Sequence, residues 1–403
     1  MTKYRLGDVL TIIMDYRGKT PKKLGLDWTE DKNDIVALSA KNLKNGELIN
    51  LDKSHYGNSA LYNKWMKDGD ISVGDILMTS EAPLGELFLV DKPIKAILSQ
   101  RIFLLRPNNS IVLPWYLYFY MSSKNFQNRL NGHATGTTVI GIKQKELRNI
   151  EIELPSLSIQ KSIVRKLVPI SKKIEINKEI NANLLAQIKI TFDYLYNNAN
   201  GLKTVKLSEL IEETLTGDWG KANAKDKFLR KVSIIRGTDF ENIKHGGMGN
   251  APVRYIKESS TQKKHLEVND ILVEISGGSP TQSTGRSLLI SQDIIDKFDN
   301  TLLGTNFTRC VRPILEDDSY LIDAYLNFLY ENNVFFNYEN GTTGIKNLDY
   351  KAVFDIDLPD VRYSKGFDNF ISMAKNYYKV VQNNGKENIQ LSRLKETLLN
   401  RFF

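Results

Sequence analysis

Mostly apolar residues, interrupted by a few polar ones, recur at alternating spacings of four and three in two long stretches of this chain, residues 156–198 and 363–403. In the first stretch these positions are Ile163, Leu167, Ile170, Ile174, Asn177, Asn181, Leu184 and Ile188. In the second they are Phe370, Ala374, Tyr377, Val381, Asn384, Asn388, Leu391 and Lys395. A sustained average spacing of about 3.5 predicts two long helices that pair through a coiled-coil seam. Two ordinary amphipathic helices, each packed on its own domain, are the alternative.

Each seam contains two asparagines at matching positions, which lowers stability but fixes which residues face each other. A helix of about 40 residues is roughly 60 Å long at 1.5 Å per residue. Antiparallel pairing therefore needs the shorter connection, because the second helix can begin near the end of the first. This arrangement places Asn177 and Asn181 opposite Asn388 and Asn384, and it holds two similar domains apart at the ends of a two-helix rod.

Two features of the helical stretches oppose a straight rod. Pro169 should kink the first helix, because proline lacks the backbone N–H that the helix needs. The sequence NNGK at 383–386 would suit a turn inside the second helix.

The rest of the chain is an internal repeat. YRLGDV near the start matches VKLSEL at 205–210, and VGDIL at 73–77 matches VNDIL at 268–272. The loop GTT occurs at 136–138 and 341–343, and each copy is followed by a strand-like segment that ends in Leu-Pro. We therefore predict an α+β protein with a tandem repeat and pseudo-twofold symmetry: globular domain 1–155, helix 156–200, globular domain 201–360 and helix 361–403.

Composition narrows the class of protein. A chain of 403 residues with 41% hydrophobic and 25% charged residues is typical of a globular protein with two or more domains. We find neither an apolar run of membrane-spanning length nor a secretory signal, and Cys310 is the single cysteine. A cytoplasmic location is expected.

The net charge of +8 suggests a polyanionic partner. The surplus of Lys and Arg lies in the first globular segment and in the two helices, whereas residues 204–360 are net acidic. Local clusters are therefore more informative than net charge. The candidate DNA-binding residues are Arg17, Lys19, Lys22, Lys23, Thr137, Thr138, Lys143, Lys227, Arg230, Lys231, Arg236, Arg286, Thr342, Thr343 and Lys346. Basic side chains can neutralise phosphates, and Arg and Thr can contact base edges; a solvated loop is the alternative for each cluster.

The search for catalytic or metal-binding motifs is negative. The four histidines lack partners at zinc-ligand spacing, and Cys310 lies in an apparent strand, where a small core residue is expected. GDWGK at 217–221 and HGGMGN at 245–250 do not match nucleotide-binding loops. The tetrapeptides that amino-methyltransferases use around their target base are also missing. We predict a chain that is not itself an enzyme.

The order of these motifs resembles the specificity subunit of a Type I restriction-modification system. The resemblance rests on the two KLGDV-like openings, the two GDIL-like strands, the GTT loops and the Ile-x-Ile-x-Leu-Pro endings before long helices. The best single match is IEIELPSLSIQKSIVRKL at 150–167, whereas the second copy has no glutamine equivalent to Gln160. The resemblance covers essentially the whole chain.

This resemblance implies a function. Each globular part would be a target recognition domain that reads one half of a bipartite DNA sequence, while the helices set the gap and dock methyltransferase (modification) subunits, two of them in the expected complex. A restriction and translocase subunit would join that complex. This chain would need no cofactor, and S-adenosylmethionine, Mg and ATP are expected only in the partner subunits. No membrane contact is expected.

Two other functions stay open at this point. The chain could be the specificity partner of a fused restriction-methylation enzyme, which only the neighbouring gene or the copurifying subunit distinguishes. It could also be a coiled-coil scaffold whose domains bind proteins. Steep weakening of DNA binding with salt would argue against the scaffold.

Overall fold

Both long helices cross the boundary between the two units into which the chain divides. This computed structural model describes residues 1–136, 139–199, 201–279, 281–341 and 345–403. One unit comprises residues 1–172 and 393–403, and the other comprises residues 173–392. Each unit therefore contains part of both long helices. The four-segment division expected from the sequence follows the repeat and stays a prediction.

The first globular part contains eleven short strands and four short helices among its described residues. The strands are β1 (Thr2–Arg5), β2 (Leu10–Asp15), β3 (Ile35–Leu38), β4 (Leu43–Lys44), β5 (Glu47–Leu48), β6 (His55–Gly57), β7 (Ile76–Thr79), β8 (Leu87–Leu89), β9 (Ile97–Leu98), β10 (Ile102–Pro107) and β11 (Glu151–Leu154). The helices are α1 (Ser59–Trp65), α2 (Pro114–Ser122), α3 (Lys124–Gly132) and α4 (Gln144–Asn149). The long helix α5 (Leu157–Asn197) follows.

The second globular part repeats this sequence of elements with more short strands. Its strands are β12 (Thr204–Val205), β13 (Ile211–Thr216), β14 (Phe228–Ile235), β15 (Val253–Lys257), β16 (Ile271–Glu274), β17 (Ser276–Gly277), β18 (Ser287–Leu289), β19 (Thr301–Gly304), β20 (Thr308–Pro313), β21 (Glu339–Asn340), β22 (Lys346–Leu348) and β23 (Leu358–Pro359). Its helices are α6 (Phe240–Lys244), α7 (Glu258–Lys264), α8 (Gln292–Ile295), α9 (Glu316–Glu331), α10 (Tyr350–Phe354) and α11 (Phe367–Phe402).

Sheet topology confirms the internal repeat. A four-stranded antiparallel sheet has the order β2-β10-β7-β8 in the first part and β13-β20-β16-β18 in the second. A three-stranded sheet, β6-β3-β9 or β15-β14-β19, contains one parallel pair in each part. The first and last strands of each part also pair, as β1-β11 and β12-β23. The expected α+β fold is therefore observed twice.

One inner strand of each four-stranded sheet, β10 or β20, carries buried apolar residues on both faces because it separates two cores. In β10, Phe103 and Leu105 pack into a core with helix α2, whereas Ile102 and Leu104 face a core built around Trp65. In the second part, Val311 and Cys310 on β20 likewise face different cores. Cys310 is therefore a core residue, as the sequence suggested.

A buried ion pair recurs at the same place in both parts. Asp75 accepts hydrogen bonds from Arg106 Nε at 2.7 Å and Nη2 at 2.8 Å, and both bonds between Asp270 and Arg312 are 2.9 Å long. Both carboxylates have exposures of 1%. A buried carboxylate needs such a partner, because leaving it unpaired costs several kcal/mol. The aspartates of VGDIL and VNDIL are thus structural.

The residue before each of these aspartates is glycine in the first copy and asparagine in the second, and its backbone conformation explains why both residue types occur there. Gly74 has φ +97° and Asn269 has φ +75°. This left-handed region suits glycine and is tolerated by asparagine better than by most residues.

Helices α5 and α11 run antiparallel, as predicted. In the second unit, Asn177 Nδ2 donates to Asn388 Oδ1 at 2.9 Å, and Asn384 Nδ2 donates to Asn181 Oδ1 at 2.9 Å. The residue number falls along one helix as it rises along the other. Of the seam residues, Leu167, Asn177, Asn181 and Val381 are buried, and Ile170, Ile174, Leu184, Tyr377, Asn384, Asn388 and Leu391 are half-buried.

The first turn of α5 is attached to the domain by Gln160. This side chain is fully buried. Its Oε1 accepts from Leu113 N, and its Nε2 donates to the carbonyls of Ile111 and Pro155, each at 3.0 Å. The second copy lacks this glutamine, and α11 begins only at Phe367.

The expected turn at 383–386 is wrong, because α11 continues through this segment. Gly385 is buried there, and a Cβ on it would lie 2.0 Å from Gly246 O. The glycine therefore allows the helix to approach a loop closely. Helix α5 also continues through Pro169. Proline has no backbone N–H, so the carbonyl one turn before it lacks its helical hydrogen bond. Pro169 is exposed, so water can donate to that carbonyl instead.

Candidate nucleic-acid interface

Four loops meet at one end of the first globular part. We define the first loop face as the described residues of 16–24, 79–86, 99–101 and 135–142. Ser80 connects two of these segments, because its N donates to Arg101 O at 2.9 Å and its O accepts from Ile142 N at 3.0 Å. Arg17 Nη1 donates to Ile142 O at 2.9 Å, and this bond attaches segment 16–24 to segment 135–142.

The second globular part forms an equivalent loop face. We define it as the described residues of 217–227, 274–287, 305–307 and 339–348. Ile275 takes the place of Ser80: its N donates to Phe307 O and its O accepts from Leu348 N, both at 2.9 Å. Asp218 N donates to Gly304 O at 3.0 Å, so the loop after β13 lies beside the 305–307 turn.

The glycines of the two GTT segments belong to these faces. Gly136 has φ +122° and Gly341 has φ +126°, where a side chain would be strained. The candidates Thr137, Thr138, Thr342 and Thr343 lie outside the described residues, so their contacts with DNA stay predictions.

Several candidate cations are held internally by carboxylates. Arg17 binds Asp15, with Nη2 to Oδ2 at 2.6 Å, and Arg286 binds Glu274, with Nη2 to Oε1 at 2.7 Å. The hydrogen bond to Glu274 raises the pKa of Arg286 above its ordinary value. Arg236 pairs with Asp239 and Lys346 with Glu339, at 2.9 and 2.7 Å respectively. These side chains brace the loops as well as being candidates for DNA contact.

The other candidate cations in the first part differ in whether they make hydrogen bonds within the protein or are exposed to solvent. Lys19 Nζ donates to Trp65 O at 2.6 Å, and burial is the main reason that its pKa is lowered. Lys23 Nζ donates to Gly18 O at 2.7 Å. Lys22 and Lys143 are exposed, which suits side chains that reach phosphates.

In the second part, the exposed candidates form a basic strand. Lys227 immediately precedes β14, Arg230 and Lys231 lie in its first half, and all three are exposed. Arg230 lies 3.9 Å from Glu258, and both side chains are more than half exposed, so this pair contributes little stability. The strand and the residue before it therefore present three cations to solvent.

A cleft beside the first loop face escaped sequence reasoning. Its volume is about 500 Å³, and its cationic lining residues are Lys41, Lys53 and Arg101. Trp28 and His55 stack on its wall, with ring centroids 5.3 Å apart. These side chains come from separate segments that strand pairing brings together, so their spacing along the sequence could not predict the cleft.

We searched the described residues for metal-binding groups and reactive side chains. They contain no group of three or more His, Cys, Asp or Glu side chains that could hold a metal ion. His133, His245 and His265 each lie near one glutamate, at 3.9, 3.0 and 3.2 Å. Burial raises the pKa of the Cys310 thiol well above its ordinary value, which opposes formation of a reactive thiolate.

Comparison with known proteins gives a consistent result. Residues 1–186 match the family described as Type I restriction modification DNA specificity domain. The MjaIX Type I specificity subunit of Methanocaldococcus jannaschii is 22% identical, over 95% of this chain and 88% of that protein. The EcoBI specificity subunit of Escherichia coli is 25% identical over 39% of this chain and 31% of that protein.

A solved structure shares the fold. The S subunit of a Type I restriction-modification system from M. genitalium has a TM-score of 0.52 at 14% identity, and the match covers 100% of this chain and 96% of that one. At this identity the likeness concerns the arrangement of elements alone. Two repeated sheet domains and long helices are thus common to both chains.

Proposed function

We propose that this chain, which belongs to the family of Type I restriction-modification specificity subunits, selects the DNA sequence on which its complex acts. Each globular part reads one half of a bipartite target through its loop face. The antiparallel helices set the gap between the halves. The observation that carries this proposal is the repeated loop face, built by the same backbone hydrogen bonds around Ser80 and Ile275.

The charges on the loop faces support binding of a duplex. Exposed Lys22 and Lys143 on the first part, and the basic start of β14 on the second, can neutralise phosphates. The internally paired arginines are already ordered and hold the loops in place. DNA binding therefore does not have to immobilise these side chains, which would cost conformational entropy. Phosphate contacts would position the protein, and neutral side chains on the loop faces would read bases.

In this proposal the partner subunits perform the chemistry. Methyltransferase subunits, two in the complete complex, would bind S-adenosylmethionine and methylate an extruded adenine, and a restriction subunit would use ATP and Mg. Exposed apolar residues on α5 support helix docking: Ile176, Ile180, Ile190 and Tyr194 have exposures of 48, 39, 65 and 67%. Among the described residues, no helix is long and apolar enough to span a bilayer.

The first test is to coexpress this chain with the methyltransferase encoded beside it and to map methylated adenines by single-molecule sequencing. One bipartite motif with a fixed gap is expected, and it should disappear when this chain is omitted. Methylation that is unchanged without the chain, in a soluble complex, would refute the proposal.

A second test concerns electrostatics. Lys22→Glu should weaken binding to any duplex and reduce the slope of log K against log salt concentration by about one or more. Lys3→Glu is the matched control, because Lys3 is also exposed but lies on β1, outside the loop face. An unchanged salt slope in Lys22→Glu would remove this loop from the DNA interface.

A further inference from the structure

The two loop faces contain an equivalent exposed amide side chain, which the sequence repeat did not reveal. Strand registers establish the equivalence. Leu98 pairs with Leu38 on the parallel neighbour, and Gly304 pairs with Ile235 in the same way. Two residues after each of these positions stand Gln100 and Asn306.

The other side of the turn gives the same alignment independently. Ile102 pairs with Thr79, and Thr308 pairs with Glu274, the matching positions of the VGDIL and VNDIL strands. The carbonyl of the residue that follows the amide accepts a hydrogen bond from Ser80 or Ile275: Arg101 O accepts from Ser80 N, and Phe307 O accepts from Ile275 N, each at 2.9 Å. Two strand pairings and one hydrogen bond therefore agree.

The backbone that carries each amide is fixed. In the first part, Ser99 N donates to Leu38 O at 2.8 Å and Gln100 O accepts from Ala40 N at 3.3 Å. In the second, Thr305 is buried and its Oγ1 accepts from Phe307 N at 3.1 Å. The side chains of Gln100 and Asn306 themselves are exposed. A fixed backbone with a free amide is a preorganised hydrogen-bonding group.

The surroundings of Gln100 suit DNA. It lies between the cleft of about 500 Å³ and a second cleft of about 230 Å³ that includes Lys22. The larger cleft contains Lys41, Lys53 and Arg101, and Arg101 Nε is paired with Glu81 at 2.9 Å, outside the described lining residues of the cleft. The smaller cleft contains Lys19 and Lys22 and one carboxylate, Asp27. Lysines therefore lie on both sides of the amide and can attract phosphates.

We propose that Gln100 and Asn306 each read a base edge, one in each half of the bipartite target, and this inference rests on the proposed function. A glutamine or asparagine amide can donate to N7 and accept from N6 of adenine in one bidentate contact, so an adenine is the expected base. The neighbouring residue differs between the parts: Arg101 in the first, and Phe307, which is 55% exposed, in the second. Phe307 can contact a thymine methyl group, so the two halves read different sequences.

The experiment uses the complex of this chain with its methyltransferase subunit on a library of plasmid targets. Gln100→Ala should relax one base position in one half-site, and Asn306→Ala one position in the other half, with discrimination reduced roughly 5- to 150-fold at that position. The gap should stay the same. Binding to unrelated DNA, and its salt dependence, should also be unchanged, because neither change removes a charge.

Two exposed amides outside the loop faces serve as matched controls. Asn109→Ala changes the first part and Gln292→Ala the second, and neither should alter the methylated motif. Each principal variant also controls for the other, since only one half-site should respond.

The outcomes separate the two proposals. A wild-type bipartite motif that is identical in Gln100→Ala and Asn306→Ala would refute the reading role and leave the specificity function standing. Loss of binding to unrelated DNA would also contradict it, since a base-reading amide contributes little there. If the wild-type complex shows no motif that depends on this chain, the proposed function fails, and the reading role fails with it.

Discussion

Replacing Gly385 by alanine tests the close approach of α11 to the loop at residue 246. The added methyl carbon would lie 2.0 Å from Gly246 O, 2.5 Å from its carbonyl carbon and 2.6 Å from its Cα. All three are backbone atoms, so no flexible side chain can move away. The helix or the loop must shift by more than about 1 Å, since non-bonded carbon atoms prefer separations of about 3.5–4 Å.

The two expected energies have opposite signs. At an exposed helix position, glycine-to-alanine would stabilise the helix by about 1 kcal/mol. Here overpacking costs about 1–3 kcal/mol or more. Moving the loop also weakens the bonds that Gly246 O accepts from Lys297 Nζ, at 2.6 Å, and that His245 O accepts from Asn181 Nδ2, at 3.1 Å. We expect a net loss of about 2 kcal/mol.

Gly132→Ala is the matched control, because Gly132 ends helix α3 and its added methyl group would meet nothing within 4 Å. That variant should gain up to about 1 kcal/mol. Hydrogen exchange measured segment by segment is the appropriate assay, since two units need not unfold together. Protection should fall around residues 240–250 and 378–390 in Gly385→Ala alone. Equal or higher protection there would refute the steric argument.

Three further predictions concern buried polar groups. Asn177→Leu should cost about 1–2 kcal/mol because it leaves Asn388 Oδ1 without the donor Asn177 Nδ2, whereas Asn177→Leu with Asn388→Leu should recover that loss; equal urea midpoints for the single and double variants would contradict this. Arg106→Met should destabilise the first unit by about 3 kcal/mol, and adding Asp75→Leu should restore most of the loss, as thermal unfolding would show. Burial is the main reason that the pKa of Lys297 is lowered from 10.5 to about 8. Between these values the unfolded chain binds more protons than the folded one, so the free energy of unfolding should rise with pH from about 8 to 10.5. The Lys297→Met variant should lack this rise. Equal pH dependence of unfolding in the wild type and in Lys297→Met would contradict the prediction.

The sequence predicted those features that repeat or are periodic. The seam spacing identified both helices, and the length of the connection that each pairing would need predicted that they are antiparallel. Gly385 misled, because its sequence neighbours suit a turn, and only the position of Gly246 explains a glycine inside the helix. Local sequence cannot supply that information, since the two glycines are far apart along the chain.

The candidate site was less predictable than the fold. Arg286 looked available for DNA, yet Glu274, twelve residues away, lies beside it because β16 and β18 are paired. Gln100 and Asn306 were missed because their flanking sequences differ, and strand registers were needed to align them. Basic residues can be found in a sequence, but which of them are already paired with carboxylates depends on contacts in the folded protein.

The pairing of first and last strands has a consequence for protein engineering. Thr2 lies opposite Leu154 in β1 and β11, and Val205 lies opposite Leu358 in β12 and β23. Such paired residues are about 5 Å apart, so the polypeptide leaves each globular part beside the point at which it entered. Everything between the two strands can therefore be excised and replaced by a foreign segment with the same strand pair, without rerouting the flanking chain. Each half is an exchangeable cassette whose two covalent junctions occupy a single small area.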